Sequence, residues 1–411
     1  MTTEVSTQPA IERRIAEGTA FSIILALSFS HLLNDMMQSL VPALYPMIKG
    51  TYGLSFAQIG VITLTMQVTS SMLQPLVGLA ADHRPQPYSL AVGMGATLVG
   101  LLLLAHAGTY PALLIGAALV GTGSAVFHPE ASRVARMASG GARRHGLAQS
   151  LFQVGGNIGS ATGPILAAFI VIPRGQGSVG WFSGVALLAM TVLFMVGNWY
   201  RREHPPSRRA RYTTAAPLNL SRRRVFWSLA ILLSLVFSKA FYQASLGTYY
   251  TFYLISKFHL TLADAQIYLF VFLASVAVGT LVGGPVGDRI GRKAVIWGSI
   301  LGAIPFALML PFANLFWTCI LTVAVGATMA SASSAIIVYA LDLVPGKIGT
   351  MAGLFFGLSF GMAGVGAAAL GSLADATSID TVYRVCAYLP LIGLLTVMLP
   401  DLHRAARSAT A

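Results

Sequence analysis

Gly284-Pro285-Val286-Gly287-Asp288-Arg289-Ile290-Gly291-Arg292-Lys293 holds four charges and three glycines in ten residues. A long apolar run lies on either side, Leu262–Gly283 before it and Ala294–Phe312 after it. A segment so short and so charged, between two runs each near the ~20 residues that cross a hydrocarbon core, belongs at a membrane surface. Its glycines permit a tight turn and a close approach of neighbouring backbone. A weaker copy stands half a chain earlier, Gly78-Leu79-Ala80-Ala81-Asp82-His83-Arg84, its aspartate 206 residues before Asp288.

Composition agrees with a membrane setting. Of 411 residues, 55% are hydrophobic and 9% charged, against about 25% charged in soluble domains. The mean hydropathy is +0.73. Reading for apolar runs punctuated by Gly, Pro and charge gives twelve spans. The first six are Phe21–Ile48, Phe56–Ala80, Tyr88–Ala107, Pro111–Arg133, Leu147–Val171 and Trp181–Tyr200. The second six are Val225–Ile255, Leu262–Gly283, Ala294–Phe312, Leu315–Leu341, Met351–Ala374 and Val382–Leu399. All are expected to be helices, because lipid offers the backbone no other hydrogen-bond partners. The fold class is thus an all-α membrane protein of two six-helix halves, residues 1–200 and 225–411, joined by a polar linker, 201–224.

The net charge of +13 is a topology signal rather than a nucleic-acid footprint. With these spans, 21 of the 26 Lys and Arg fall on the side of the termini and linker. Four (Lys49, Arg174, Lys257, Arg384) fall on the other side, and Lys239 lies within a span. That is the positive-inside bias of an inner or plasma membrane protein with both termini cytoplasmic. Met1–Gly18 has no apolar core of the kind a cleavable signal carries. Cys319 and Cys386 fall in apolar runs and read as buried small hydrophobes.

The halves are related. Tyr52-Gly53-Leu54-Ser55 aligns with Phe258-His259-Leu260-Thr261 at an offset of 206, and Gly146–Phe152 with Gly349–Phe355 at 203. Steady offsets at separated places mark a duplicated six-helix unit. In the fifth span Gly155, Gly159 and Gly163, followed by Pro164, draw a smooth stripe, which the eleventh span repeats as Gly353, Gly357 and Gly361. Such stripes let helices approach closely; the expectation is that these two spans face each other between the halves.

Charge inside a span is costly and usually faces a cavity or a partner. His31, Asn34, Asp35 and Gln38 recur at i, i+3, i+4 and i+7, one polar stripe on the first span. It reads either as a structural polar seam or as a proton-binding carboxylate–imidazole pair. On the fourth span, His128 precedes a helix-bending Pro129. Glu130 and Arg133 can pair at i, i+3, in either a structural or a coupling role. Lys239 is alone in the seventh span, with Tyr242 and Gln243 beside it. It needs an anionic ligand or a carboxylate partner, and Asp35 is the nearest expectation for the latter.

The charged loop resembles the signature loop of the major facilitator superfamily, whose two-halves arrangement the repeat matches. The glycine stripe ending in Gly163-Pro164 resembles that of its drug:proton antiporters. More specific are His31-x-x-Asn34-Asp35-x-x-Gln38-x-x-x-Pro42-x-x-Tyr45-Pro46, Phe127-His128-Pro129-Glu130 and Gln149–Asn157. These resemble the fosmidomycin resistance protein family, and the likeness runs from the first span to the twelfth. The resemblance implies a proton-driven exporter of the inner membrane, acting on fosmidomycin, a small phosphonate with a hydroxamate. Proton coupling is expected at Asp35, assisted by His31, with His128 and Glu130 on the fourth span as the further candidates. Substrate binding is expected at Lys239, Gln243, Asn34, Gln38, Tyr242, Gln153 and Asn157. A cytoplasmic gate would use Gly78, Asp82 and Arg84 in one half and Gly284, Asp288, Arg289, Gly291 and Arg292 in the other. The first-half loop departs from the pattern, lacking the second glycine and the closing basic pair.

Other classes find little here. There is no nucleotide-binding loop, so the drive is an ion gradient, and no spacing of His and acidic residues typical of a metalloenzyme. The chain is expected to be no enzyme, to need no cofactor or metal, and to act as a monomer among lipid on protons and a small molecule. A proton-coupled importer of an organic acid or sugar phosphate is the alternative in the same class.

Overall fold

The computed structural model describes residues 10–83, 86–139, 145–203, 221–344 and 348–400. All regular structure in them is helical. The first-half helices are Ala10–Ala43, Phe56–His83, Ser89–His106, Tyr110–Ala138, His145–Leu166 and Phe182–Glu203. The second half follows with Arg222–Phe258, Leu262–Ile290, Arg292–Met309, Leu315–Leu343, Ile348–Ala376 and Ile379–Cys386. Among the described residues, eleven helices are long and apolar enough to cross a membrane.

The spans depart from expectation mainly at their ends. The first breaks at Leu44 and resumes as a short helix, Tyr45–Tyr52, stopped by Gly53 at φ 61°. The eighth runs through the expected loop as far as Ile290. The connection to the ninth is therefore cut to Gly291, whose φ of 94° suits a residue without Cβ. In the fifth span, Pro164 is followed by a π-helical turn, Ala167–Val171. Pro lacks the N–H that the regular ladder needs, and a wider turn is one way to absorb the defect. The twelfth span is α-helical only to Cys386 and continues as a 3-10 helix, Leu389–Met398.

The glycine stripes do not face each other. Cβ atoms at Gly155 and Gly159 would overlap the carbonyls of Ser28 and Leu32, and one at Gly163 the Ser39 hydroxyl. The fifth span therefore packs on the first, within its own half, and Ser28 donates a hydrogen bond to the Leu151 carbonyl at 2.6 Å across that contact. Gly357 and Gly361 of the eleventh span lie instead along the second span, across the halves.

That second contact is wedge-shaped. At one end, Cβ atoms on Gly60 and Gly371 would overlap the carbonyls of Ala367 and Phe56. Farther along, a Cβ on Gly364 would sit 3.2 Å from Leu64 Cα, and one on Gly361 3.8 Å from Ser71 Oγ. The halves are thus clamped at the Phe56 end and separate toward Ser71. Two further bonds close the clamped end: Tyr249 donates to the Phe56 carbonyl at 3.3 Å, and Gln266 Nε2 to the Ala43 carbonyl at 2.7 Å.

Candidate functional site

Asp35 sits at the centre of a polar cluster built from three helices. Its Oδ2 lies 3.3 Å from His31 Nε2, and its Oδ1 lies 3.4 Å from His128 Nε2. Asn34 Nδ2 donates to Oδ1 at 3.0 Å and Gln38 Nε2 at 3.3 Å, while Ser160 of the fifth span donates to Oδ2 at 3.4 Å. Each imidazole is held from behind. His31 Nδ1 is 2.8 Å from the Phe152 carbonyl, and its ring stacks on Phe152 at 4.1 Å between centroids. His128 Nδ1 is 3.1 Å from the Ser124 carbonyl one turn back. A carbonyl only accepts, so His31 Nδ1 carries hydrogen; His128 Nδ1 meets the Ser124 hydroxyl as well, at 3.1 Å, and both Nε2 atoms face the carboxylate.

The helical register explains the cluster. His31, Asn34, Asp35 and Gln38 share one face of the first span. Gly156 makes room on the fifth span: a Cβ there would overlap the His31 ring and come within 2.9 Å of Asp35 Oδ2. Gly156 and Ser160, one turn apart, form a second small-residue row beside the glycine stripe. The doubled glycine at 155–156 was the sequence signal for it.

The expected proton-coupling residues are therefore divided. Asp35, His31 and His128 come together; Glu130 does not join them. Glu130 is 2% exposed and paired with Arg133 at 2.9 Å, and Arg133 also donates to the Tyr200 hydroxyl at 3.2 Å. That pair ties the fourth span to the sixth. The spacing of His and acidic residues along the chain offered no metal-ligand pattern. In space, however, ligand atoms of His31, Asp35 and His128 all lie within 4.8 Å of one another.

A cavity of about 370 Å³ opens between the halves, with Lys239, Gln243, Ser333, Gln67 and Phe360 in its wall. Lys239 donates to the Ser333 hydroxyl. Among the described residues it has no ion pair with a carboxylate, so the expected Lys239–Asp35 pair is not formed. Asp35 turns toward the fourth and fifth spans instead. Lys239, Gln243 and Gly247 recur one turn apart and face the cavity. Tyr242, about 100° away on the same helix, is 2% exposed in the hydrophobic core rather than in that wall. Asn34 and Gln38 hold the carboxylate and do not line the cavity. Gln153 and Asn157 do not line it either. Phe360 connects the two regions: it lines the cavity, and its ring centroid is 6.5 Å from that of His128.

The side chains at Asp82 and Asp288, with Gly78, Gly284 and Gly353, fall outside the described surroundings, and Arg84 outside the described residues. Of the expected gate, Arg289 is exposed and Arg292 half-buried.

Comparison with known proteins matches the Major Facilitator Superfamily family model over residues 27–268 and 240–410. The fosmidomycin resistance protein of Escherichia coli (strain K12) is 58% identical over 93% of this chain and 94% of its own. The uncharacterized MFS-type transporter YfnC of Bacillus subtilis (strain 168) is 41% identical, covering 93% of this chain and 94% of its own. Among solved structures, a bacterial homologue of the human lysosomal transporter Spinster, inward-facing and occupied, superimposes with a TM-score of 0.68 at 16% identity. That match covers 94% of this chain and 95% of the other, and it speaks to fold alone.

Proposed function

The chain belongs to the major facilitator superfamily and, within it, to the fosmidomycin resistance protein family, and from that premise we propose that it exports fosmidomycin-like phosphonates in exchange for protons. It is a multi-pass membrane transporter and not an enzyme. The single observation that supports proton exchange is Asp35 held between two imidazoles, beside a cavity that carries a lone lysine. A phosphonate entering a low-dielectric cavity needs a cation there. Lys239, lightly engaged by a neutral hydroxyl, is available for one; Gln243 supplies hydrogen bonds.

Exchange requires that proton and substrate exclude each other. Coulomb attraction alone works against this, since a protonated cluster draws an anion in. The exclusion therefore falls to sterics, and Phe360 occupies the right place, touching His128 on one side and the cavity on the other. A ligand that pushes Phe360 onto His128 disfavours the proton-loaded arrangement of the cluster.

The setting that fits the charge distribution is the inner membrane, with both termini and the 201–224 linker cytoplasmic. The clamped Phe56 end then faces outward and the widening Ser71 end inward. Residues 1–200 and 225–411 act as two halves rocking about the cavity, in a monomer surrounded by lipid. The loop aspartates Asp82 and Asp288 serve as the inner gate. The deciding experiment is counterflow and uphill transport in proteoliposomes, with a panel of phosphonates and controlled pH on each side. Phosphonate efflux driven by an inward proton gradient supports the reading. Accumulation in the direction of the proton flux would make the protein an importer.

A further inference from the structure

The Asp35 cluster has a geometry that a proton does not require. Both imidazoles are oriented from behind at Nδ1, His31 by the Phe152 carbonyl at 2.8 Å and His128 by the Ser124 carbonyl and hydroxyl, each at 3.1 Å. This is the outer-shell arrangement that orients metal-binding histidines; at His31 the far ring nitrogen donates to a carbonyl and the near one can be left as a lone pair. The near nitrogens face the two oxygens of one carboxylate, His31 at 3.3 Å from Oδ2 and His128 at 3.4 Å from Oδ1. Ligand atoms of the three residues all lie within 4.8 Å of one another, so small side-chain shifts bring them to the bonds of about 2.0–2.2 Å that one ion makes. His31 is 3% exposed, and its Nε2 lies 3.3 Å from Asp35 Oδ2 without the geometry of a hydrogen bond to it.

We propose that His31, Asp35 and His128 form a binding site for a divalent transition-metal ion of the Zn²⁺ type. Two imidazoles and one carboxylate are a donor set that such ions favour, and they leave coordination positions for water. Access is from the side of His128 and Asp35, whose side chains are 24% and 17% exposed. An ion held there joins the first span to the fourth and occupies the acceptors that the coupling proton would use, so it acts as an inhibitor of transport. The proposal concerns the same residues as the exchange reading but stands on their geometry, and its test does not depend on transport.

The test is titration of the purified, untagged full-length chain with Co²⁺, read by visible d–d absorption. The expected result is a saturable, intense band at one Co²⁺ per chain, abolished by added Zn²⁺. His128→Gln weakens Co²⁺ binding by more than about tenfold, the least that outer-shell changes cost. His128→Cys restores binding and adds thiolate-to-cobalt charge-transfer absorption, which guards against a His128→Gln variant that merely misfolds. No saturable band, or one that His128→Gln and His128→Cys leave unchanged, overturns the proposal. Uphill export measured in parallel separates the two readings. Export that depends on Asp35 without a cobalt band sinks the metal site alone; a cobalt band without such dependence sinks proton coupling alone.

Discussion

Asp375 Oδ2 accepts the backbone N–H of Ala57 at 2.7 Å, and its Oδ1 accepts that of Phe56 at 2.9 Å. A carboxylate near the end of the eleventh span thereby caps the start of the second span, which belongs to the other half. The free N–H groups at a helix start and its dipole both favour an anion. The contact holds only while this end is clamped, so it biases the clamped state. Asp375→Ala removes about 1 kcal/mol, the usual worth of an N-cap. The population open at this end will rise about fivefold. Maleimide labelling of a cysteine placed beside Phe56 measures this; unchanged labelling would show that the cap contributes nothing to gating.

Asp35→Asn will abolish proton-driven uphill export while leaving counterflow. The amide keeps the size of the side chain and loses the charge that draws both imidazoles. Glu130→Gln will instead lower stability, by up to about 3 kcal/mol, because it removes the charge that pairs with the Arg133 guanidinium; the surviving protein will remain coupled. Thermal melts and transport in the same preparations compare the two. A Glu130→Gln protein of normal stability that no longer concentrates substrate would move the proton to the fourth span.

Lys239→Gln will weaken binding of phosphonates at least tenfold more than binding of a neutral analogue of the same shape. The comparison isolates charge, because Lys239 also helps to shape the cavity through Ser333. Equal losses for both ligands, read by competition binding, would leave Lys239 a structural residue.

Gly156→Ala will impair coupling out of proportion to its size. The added methyl overlaps the His31 ring, and overpacking of this kind costs about 1–3 kcal/mol. Gly302→Ala is the control, since nothing lies within 4 Å of a Cβ at that position. If both variants transport like the parent chain, the fifth span is not the wall that holds His31.

Phe360→Ala will leave phosphonate binding within about threefold of the parent, given how much apolar wall remains, yet proton leak and drug efflux will proceed independently. Proton flux through proteoliposomes with and without drug reads this directly. Tight exchange in Phe360→Ala would place the exclusion elsewhere.

Much of this architecture was legible because membranes restrict the options. Once a chain cannot leave backbone groups bare in lipid, apolar length alone identifies helices. The repeat between Asp82 and Asp288 then identifies two halves. Asp35 and His31 were legible as a pair because i, i+4 on one helix is a local fact. Their union with His128 was not, since it depends on how the fourth span packs against the first. Lys239 was read correctly as the cation in mid-span, but its partner was misassigned. Ser333 carries no signal among the neighbouring serines, and nothing along the chain says which way the Asp35 stripe turns. Tyr242 shows the same limit, being one residue from Gln243 in sequence yet turned into the hydrophobic core rather than the cavity.

The distance along the chain between Asp35 and its partners has a consequence for how the protein is made. Ser160 follows Asp35 by 125 residues, and the Phe152 carbonyl follows His31 by 121. At a synthesis rate of about 5–20 residues per second, the first helix waits roughly 6–25 s for them. During that wait Asp35 has only His31, Asn34 and Gln38 of its own helix as partners, and a carboxylate at mid-bilayer costs about 2.5–3.5 kcal/mol. This helix is therefore poorly able to settle in lipid alone. It stays at the insertion machinery, or returns to it, until the fifth helix emerges, so the residues of the exchange site also time the assembly of the half that contains them.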